Sequence, residues 1–149
     1  MSDRLLMEAH AGAERLELIE ASFARLAGRA LVDAGQSMWS APRAILAHGV
    51  ESPPCFFYAN ALALRLFRMS PVQFLGLPSH LSAEAGERAE RAALFARLEA
   101  ADIVEGYGGI RIAADGQRFR MTDAVIWNLV DAAGQRRGQA ATFASWEML

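Results

Sequence analysis

The sequence predicts an α+β domain built on an antiparallel sheet. Three features lead there. The last third of the chain carries three strand patterns joined by tight turns at Asp115-Gly116 and Asp131-Ala132-Ala133-Gly134. Two shorter strand patterns lie near residues 44–48 and 55–59. A block of helical patterns separates the two groups, whereas a parallel α/β protein would alternate strand with helix.

Residues 14–31 form the first element. Leu16, Ile19, Phe23, Leu26 and Ala30 recur at three and four residues and make one apolar stripe, with Glu17, Glu20 and Arg25 off it. Such a stripe either packs on its own domain or on a second copy of the chain. Leu16, Ile19, Phe23 and Leu26 are therefore the candidate dimer interface. The residues before it, including His10, read as a frayed terminus. Residues 32–40 read as a connector with a short helix around 34–39. The division is a helical extension over 1–40 and a sheet domain over 41–149.

The run 44–48 is a strand closed by Gly49; Ser52-Pro53-Pro54 breaks regular structure before the next, 55–59. Asn60 is placed to cap the helix that follows it. Ser70-Pro71-Val72-Gln73 combines a capping serine, a proline at the first helical position and a glutamine that completes a capping box. Gly76 and Pro78 end that helix. A third start lies near Ser82, with Glu84 in its first turn and a helix over 83–101. Its outer face alternates sign through Glu87, Arg88, Glu90 and Arg91, the mark of a solvated face.

Asp115-Gly116 suits a type I′ turn with positive φ at both residues. In the strand 118–130, Phe119, Met121, Val125, Trp127 and Leu129 fall on one face. Arg118, Arg120, Thr122 and Asn128 fall on the other, with Ala124 and Ile126. Asp123 interrupts the apolar face, which a bulge or an ion pair with an arginine explains. The cluster Gly106-Tyr107-Gly108-Gly109 marks a bulge or a close backbone approach.

Composition removes several functions. A chain of 149 residues, 53% hydrophobic and 21% charged, is a single globular domain and not a disordered one. No apolar run reaches the ~20 residues that span a bilayer, and Met1-Ser2-Asp3-Arg4 does not open a secretory signal. One cysteine, Cys55, permits no internal disulfide and fits a reducing compartment, so a cytoplasmic location is expected. The net charge of −2 carries no footprint for nucleic acid. All 15 basic residues are arginine. Without lysine there is no ε-amine for Schiff-base chemistry or pyridoxal phosphate.

The chain resembles PAS-type sensor domains, and within them the MEKHLA family. The resemblance rests on Phe57-Tyr58-Ala59-Asn60-x-x-Ala63-Leu64-x-Leu66-Phe67-x-Met69-Ser70, then Leu77-Pro78-Ser79, Ser82-Ala83-Glu84 and Gly109-x-Arg111-Ile112. It continues through Arg118-Phe119-Arg120, Val125-Ile126-Trp127-Asn128-Leu129 and Gly138-Gln139-Ala140-Ala141-Thr142-Phe143, and spans residues 40–146. It implies a five-stranded antiparallel sheet with helices over one face, a concave pocket for a small molecule, and dimers formed through an N-terminal helix. Domains of this type usually regulate an output domain. The chain ends a few residues past the last strand, so it reads as stand-alone, signalling through a separate output protein or its own assembly. Where the family pattern has an arginine after Pro-Ser, this chain has His80.

No metal-ligand spacing, G-x-S-x-G elbow, G-x-G-x-x-G fingerprint or P-loop occurs. The resemblance admits haem on a histidine near the covering helix, where His80 lies; the alternative is a polar loop residue. His48 reads as a hydrogen-bonded strand-end residue. Flavin–cysteine chemistry is not expected, because Cys55 lies in a strand pattern. No cofactor is identified. Tyr107, Arg111, Arg120 and Asn128 are the candidate ligand-binding residues, with His80 and with Trp127, whose other reading is core. Arginine there would hold a carboxylate or phosphate; the alternative is that these residues face solvent. The expected function is a PAS-like sensory or signalling domain, not an enzyme, binding a small molecule or a protein partner, with neither nucleic acid nor membrane as partner. The alternatives are an isomerase or hydratase using Asp123 with His80 or His48, or a fully packed dimerisation module.

Overall fold

The computed structural model describes residues 2–83 and 88–149. Its strands are β1 (Ala44–His48), β2 (Phe56–Ala59), β3 (Ile103–Ile112), β4 (Arg118–Val130), β5 (Arg136–Phe143) and β6 (Ser145–Met148). Its helices are α1 (Asp3–Ala11), α2 (Ala13–Ala27), α3 (Ala61–Phe67), α4 (Pro71–Phe74) and α5 (Arg88–Ala101). The strands form one antiparallel sheet in the order β2-β1-β5-β4-β3, and β6 runs beside the first half of β4. The expected antiparallel α+β architecture is present, with one strand more than expected.

Capping residues start the central helices where the sequence places them. The Asn60 side-chain oxygen accepts from Ala63 N at 3.1 Å and from Ile45 N at 3.0 Å. Its amide donates to the carbonyls of Met38 and Arg43 at 2.9 and 2.7 Å. One fully buried side chain thus caps α3 and ties the preceding connector to β1. At α4 both bonds of the capping box are made between Ser70 and Gln73.

Both hairpin turns are one residue longer than type I′. Ala113 N bonds Gln117 O, and Asp131 N bonds Gln135 O, each enclosing three residues. Only the glycines take positive φ, +89° at Gly116 and +80° at Gly134. The aspartates instead accept backbone N–H bonds, from Gln117 at Asp115 and from Ala133 and Gln135 at Asp131.

Three expectations for helical segments change. Residues 3–11, read as frayed, form α1, capped by Ser2 and buried through Met7 and Ala11. The helix expected around 34–39 is replaced by turns; Gly35 has φ +82° and the Met38 carbonyl is taken by Asn60. The start expected at Ser82–Ala83 is a 3-10 turn over Ser79–Ser82 followed by an extended Ala83. The predicted first-turn Glu84, together with Glu87 and the Arg88 side chain, lies outside the described residues.

A pair of bulges decides which face each side chain joins. Between Val104↔Ile126 and Tyr107↔Ala124 the extra residue lies on β3; between Tyr107↔Ala124 and Gly109↔Met121 it lies on β4. Gly106 has φ +66° and Asp123 φ +52°, the left-handed geometry of such insertions. Each insertion inverts the alternation. Phe119 and Met121 consequently share a face with Ala124, Ile126 and Asn128, while Val125, Trp127 and Leu129 turn to the opposite face. That split corrects the single apolar face expected for β4.

Each face has its own cover. α3, α4 and α5 cover the first face, where Phe56, Phe74, Phe67, Phe119 and Phe143 form a run of ring contacts with centroids 4.3–6.4 Å apart. α1 runs beside the edge strand β2, where Met7 Sδ accepts from Ala59 N at 3.4 Å, and α2 lies on the other face. There Phe23 meets Trp127 edge-on at 4.9 Å, and Trp127 Nε1 donates to Ile19 O at 3.3 Å. Ile19 and Phe23 are buried and Leu16 and Leu26 partly so, all against the chain's own core. The stripe proposed for a second copy is used within the chain.

Replacing Asp123 with Val is expected to cost about 1–2 kcal/mol in urea denaturation, since a β-branched residue resists positive φ, while Asp123→Gly stays near neutral. Phe23→Ala is expected to lose ~3–5 kcal/mol. Phe23→Glu is expected to abolish the folded circular dichroism signal outright; an intact fold with a changed assembly state would show that α2 does not belong to this core.

Candidate functional site

A cavity lies between α5 and the sheet face that carries Met121, Ile126 and Ala141. Phe56, Phe67, Leu94 and Phe95 form most of its apolar wall, and His48, Ser82, Arg91, Arg111 and Gln139 its polar part. Its volume is about 50 Å³. That is room for roughly three to five waters, or a ligand of a few heavy atoms.

The roof is tied down at both ends. Near its start, Arg91 Nη1 donates to Ser79 O at 2.8 Å, and the guanidinium lies 5.3 Å from the Phe95 ring. Arg91 is only 7% exposed, which corrects its assignment to a solvated outer face. At the far end, the Asn128 amide donates to Leu98 O at 2.9 Å and to Asp102 Oδ1 at 2.8 Å. Arg136 reaches Asp102 Oδ1 and Glu99 O. Asn128, then Arg136, hold the Asp102 carboxyl below the usual carboxylate range.

The interior is polar at a few points only. Arg111, 7% exposed, donates from Nη1 to Ile110 O at 2.8 Å, and among the described residues no carboxylate pairs with it. A Cβ on Gly109 would come within 3.0 Å of both Arg111 Nη1 and the Tyr107 hydroxyl. The glycine therefore leaves the space over the strand that these two groups share. The Tyr107 hydroxyl is buried without a hydrogen-bond partner. His48 Nδ1 lies 3.0 Å from Gly49 O, so Nδ1 carries the proton there and Nε2 is left as the acceptor. Burial lowers the His48 pKa and the Arg91 charge adds to the shift, while the Gly49 carbonyl and the Gln139 side chain oppose it.

The predicted site residues divide. Arg111 lines the cavity, with Tyr107 beside it. Asn128 shares their face but is spent on the end of α5. Arg120 lies on the opposite face and pairs with Glu147 at 3.8 Å in an exposed contact. Trp127 is core under α2, because the bulge turns it away from the cavity. His80 sits half-buried in the 3-10 turn and does not line the cavity. Sequence reasoning passed over Arg91, Gln139, Ser82 and Phe95, and read His48 as an edge residue. For His48 and Gln139 the signal was present: both lie in strand patterns, and β1 and β5 pair them directly.

His48, Phe95 and Gln139 also line a second, more open crevice of about 210 Å³ with Gly49, Glu99 and Gly138. These three side chains form a partition between the crevice and the inner cavity. A Cβ on Gly138 would overlap the His48 carbonyl, so glycine is needed where β5 passes β1. Asp123 lies elsewhere, in a third crevice with Arg29, Arg43 and Glu105. It is therefore not brought together with His48 or His80, and the predicted acid–base pair does not form.

Neither prosthetic group considered fits. Cys55 lies outside the cavity, bridged to Pro78, with Sγ donating to Pro53 O at 3.3 Å, so it cannot reach a flavin held there. His80 is outside as well, and the cavity is far smaller than a haem pocket. Among the described residues no three metal-ligating side chains converge, and no helix is long and apolar enough to cross a membrane.

Comparison with known proteins agrees with this geometry. A PAS domain from Colwellia psychrerythraea superposes with a TM-score of 0.61 at 14% identity, covering 70% of this chain and 86% of that one. The light-state dimer of the fungal blue-light photoreceptor Vivid gives 0.61 at 14%, covering 83% and 91%. An RNA-binding light-oxygen-voltage receptor gives 0.61 at 23% over 71% of this chain, but only 30% of that larger one. No curated protein matches. At these identities the likeness establishes the fold. The pattern of the MEKHLA domain matches residues 13–148, from the first residue of α2 to the end of β6, and the chain belongs to the MEKHLA domain family.

Proposed function

We propose that this domain is a sensor that takes a small molecule into the cavity beneath α5 and reports its occupancy to a partner protein or a second copy. One observation carries the reading. The Tyr107 hydroxyl is buried without a partner next to Arg111, which lines a largely apolar cavity. Such an orphan costs about 1–3 kcal/mol, a cost that a polar ligand removes.

The other readings fare less well. The cavity counts against a fully packed dimerisation module. The isomerase or hydratase reading lacks its carboxylate, because among the described residues no Asp or Glu lines the cavity. A homodimer would use a surface other than the α2 stripe; the dimer of Vivid is that protein's own. The lone half-buried thiol of Cys55 suits a reducing, cytoplasmic setting.

Native mass spectrometry of freshly purified protein, before and after exposure to a metabolite mixture, tests the sensor reading. Added mass on the wild type, lost in Ala141→Leu, which fills the cavity, is the expected result. No added mass and no thermal shift with any component would overturn it. A second test concerns pH. The native His48 pKa lies below its ordinary ~6.5, so the unfolded chain takes up the proton first. The contribution is intact above about pH 6.5 and is lost as pH falls from there to the native value. His48→Gln is expected to flatten that part of the stability curve, and NMR titration of the imidazole to give a midpoint below ~6.5.

A further inference from the structure

We infer that the cavity ligand is a small carboxylate with a short apolar body, a class assignment that rests on the sensor reading above. The argument begins with Arg111. The residue is almost wholly buried, yet its described bond is to the neighbouring Ile110 carbonyl. A buried charge is costly unless an opposite charge meets it. No described residue supplies that charge.

The surrounding groups select the anion. The Tyr107 hydroxyl, a donor in search of an acceptor, lies beside Arg111 over Gly109, so two donors converge on one place. A carboxylate offers two oxygens in the plane a guanidinium fork matches. Arg91 adds positive charge across the cavity while fastened to Ser79. The apolar part of the wall, Phe56, Phe67, Leu94, Phe95 and Met121, suits a short hydrocarbon chain. A volume of about 50 Å³ limits the molecule to few heavy atoms. The partition of His48, Phe95 and Gln139 gives the route in from the open crevice.

Sodium butyrate, butyramide and inorganic phosphate at matched ionic strength separate the alternatives, read by thermal shift and by protein-observed NMR. Butyrate is expected to bind saturably and about tenfold tighter than its neutral isostere butyramide, with phosphate weaker than either. Arg111→Gln is expected to erase the preference for butyrate over butyramide, Arg111→Lys to keep part of it, and Ala141→Leu to exclude both. Equal wild-type affinities for butyrate and butyramide, preference for phosphate, undiminished butyrate binding by a folded Arg111→Gln, or no saturation by butyrate up to about 10 mM would each overturn the assignment. The wild-type comparison needs no variant, so a failure of Arg111→Gln to fold does not protect the idea. Butyramide binding that Ala141→Leu abolishes would leave the sensor reading standing and remove only the carboxylate. A wild type that takes up nothing from the metabolite mixture removes both.

Discussion

The opposed insertions at Gly106 on β3 and Asp123 on β4 govern how this molecule is layered. A regular β4 would send Met121 and Trp127 to the same side. The bulges reverse the alternation midway, so Phe119 and Met121 continue into Ile126, and Trp127 drops to the other face. Two covers then become possible on one sheet. α2 seals Trp127 through Phe23 and Ile19, while α3, α4 and α5 close over the aromatic run from Phe56 to Phe143. The left-handed backbone at Asp123 is the local strain that this arrangement carries.

With both faces covered, the cavity lies under α5, which is tied by polar side chains near each end and packs Leu94 and Leu98 into the core. Arg91 anchors one end on Ser79, and Asn128 with Arg136 anchors the other on Leu98, Glu99 and Asp102. Between them the helix spans the sheet over the small side chain of Ala141. A void of this size costs about 1 kcal/mol, a small share of the ~5–15 kcal/mol that holds a domain folded. The buried Arg111 on its wall, with the partnerless Tyr107 hydroxyl beside it, is the larger commitment, which is why these two residues carry the functional reading and the void alone does not.

Local signals were legible where one or two residues determine local geometry. Asn60 and the Ser70–Gln73 box begin helices as their chemistry requires, and Gly116 and Gly134 supply the positive φ of the two hairpin turns. The candidate site was legible only in part. Arg111 and Tyr107 were found because strand parity alone puts them on one face. Arg120 was misassigned because parity counted from Asn128 crosses the bulge at Asp123. Trp127 was drawn into the site by its aromatic character, whereas its indole N–H is satisfied by the Ile19 carbonyl on the far side of the sheet. Arg91 looked like one member of an alternating surface row, and a helical pattern does not reveal that a 3-10 turn folds back to bury one charge of that row.

By itself, the order of apolar periods, caps and glycines determined that this is an antiparallel α+β chain, because those signals act over a few neighbouring residues. Only the tertiary structure decided that the α2 stripe closes on its own sheet, that the faces of β4 exchange at Asp123, and that His48, Gln139, Arg91 and Arg111 surround one cavity. Those outcomes depend on contacts between segments up to about a hundred residues apart, such as Ser22 with Val130. Burial and charge balance there are properties of the assembled layers, not of any one stretch of chain.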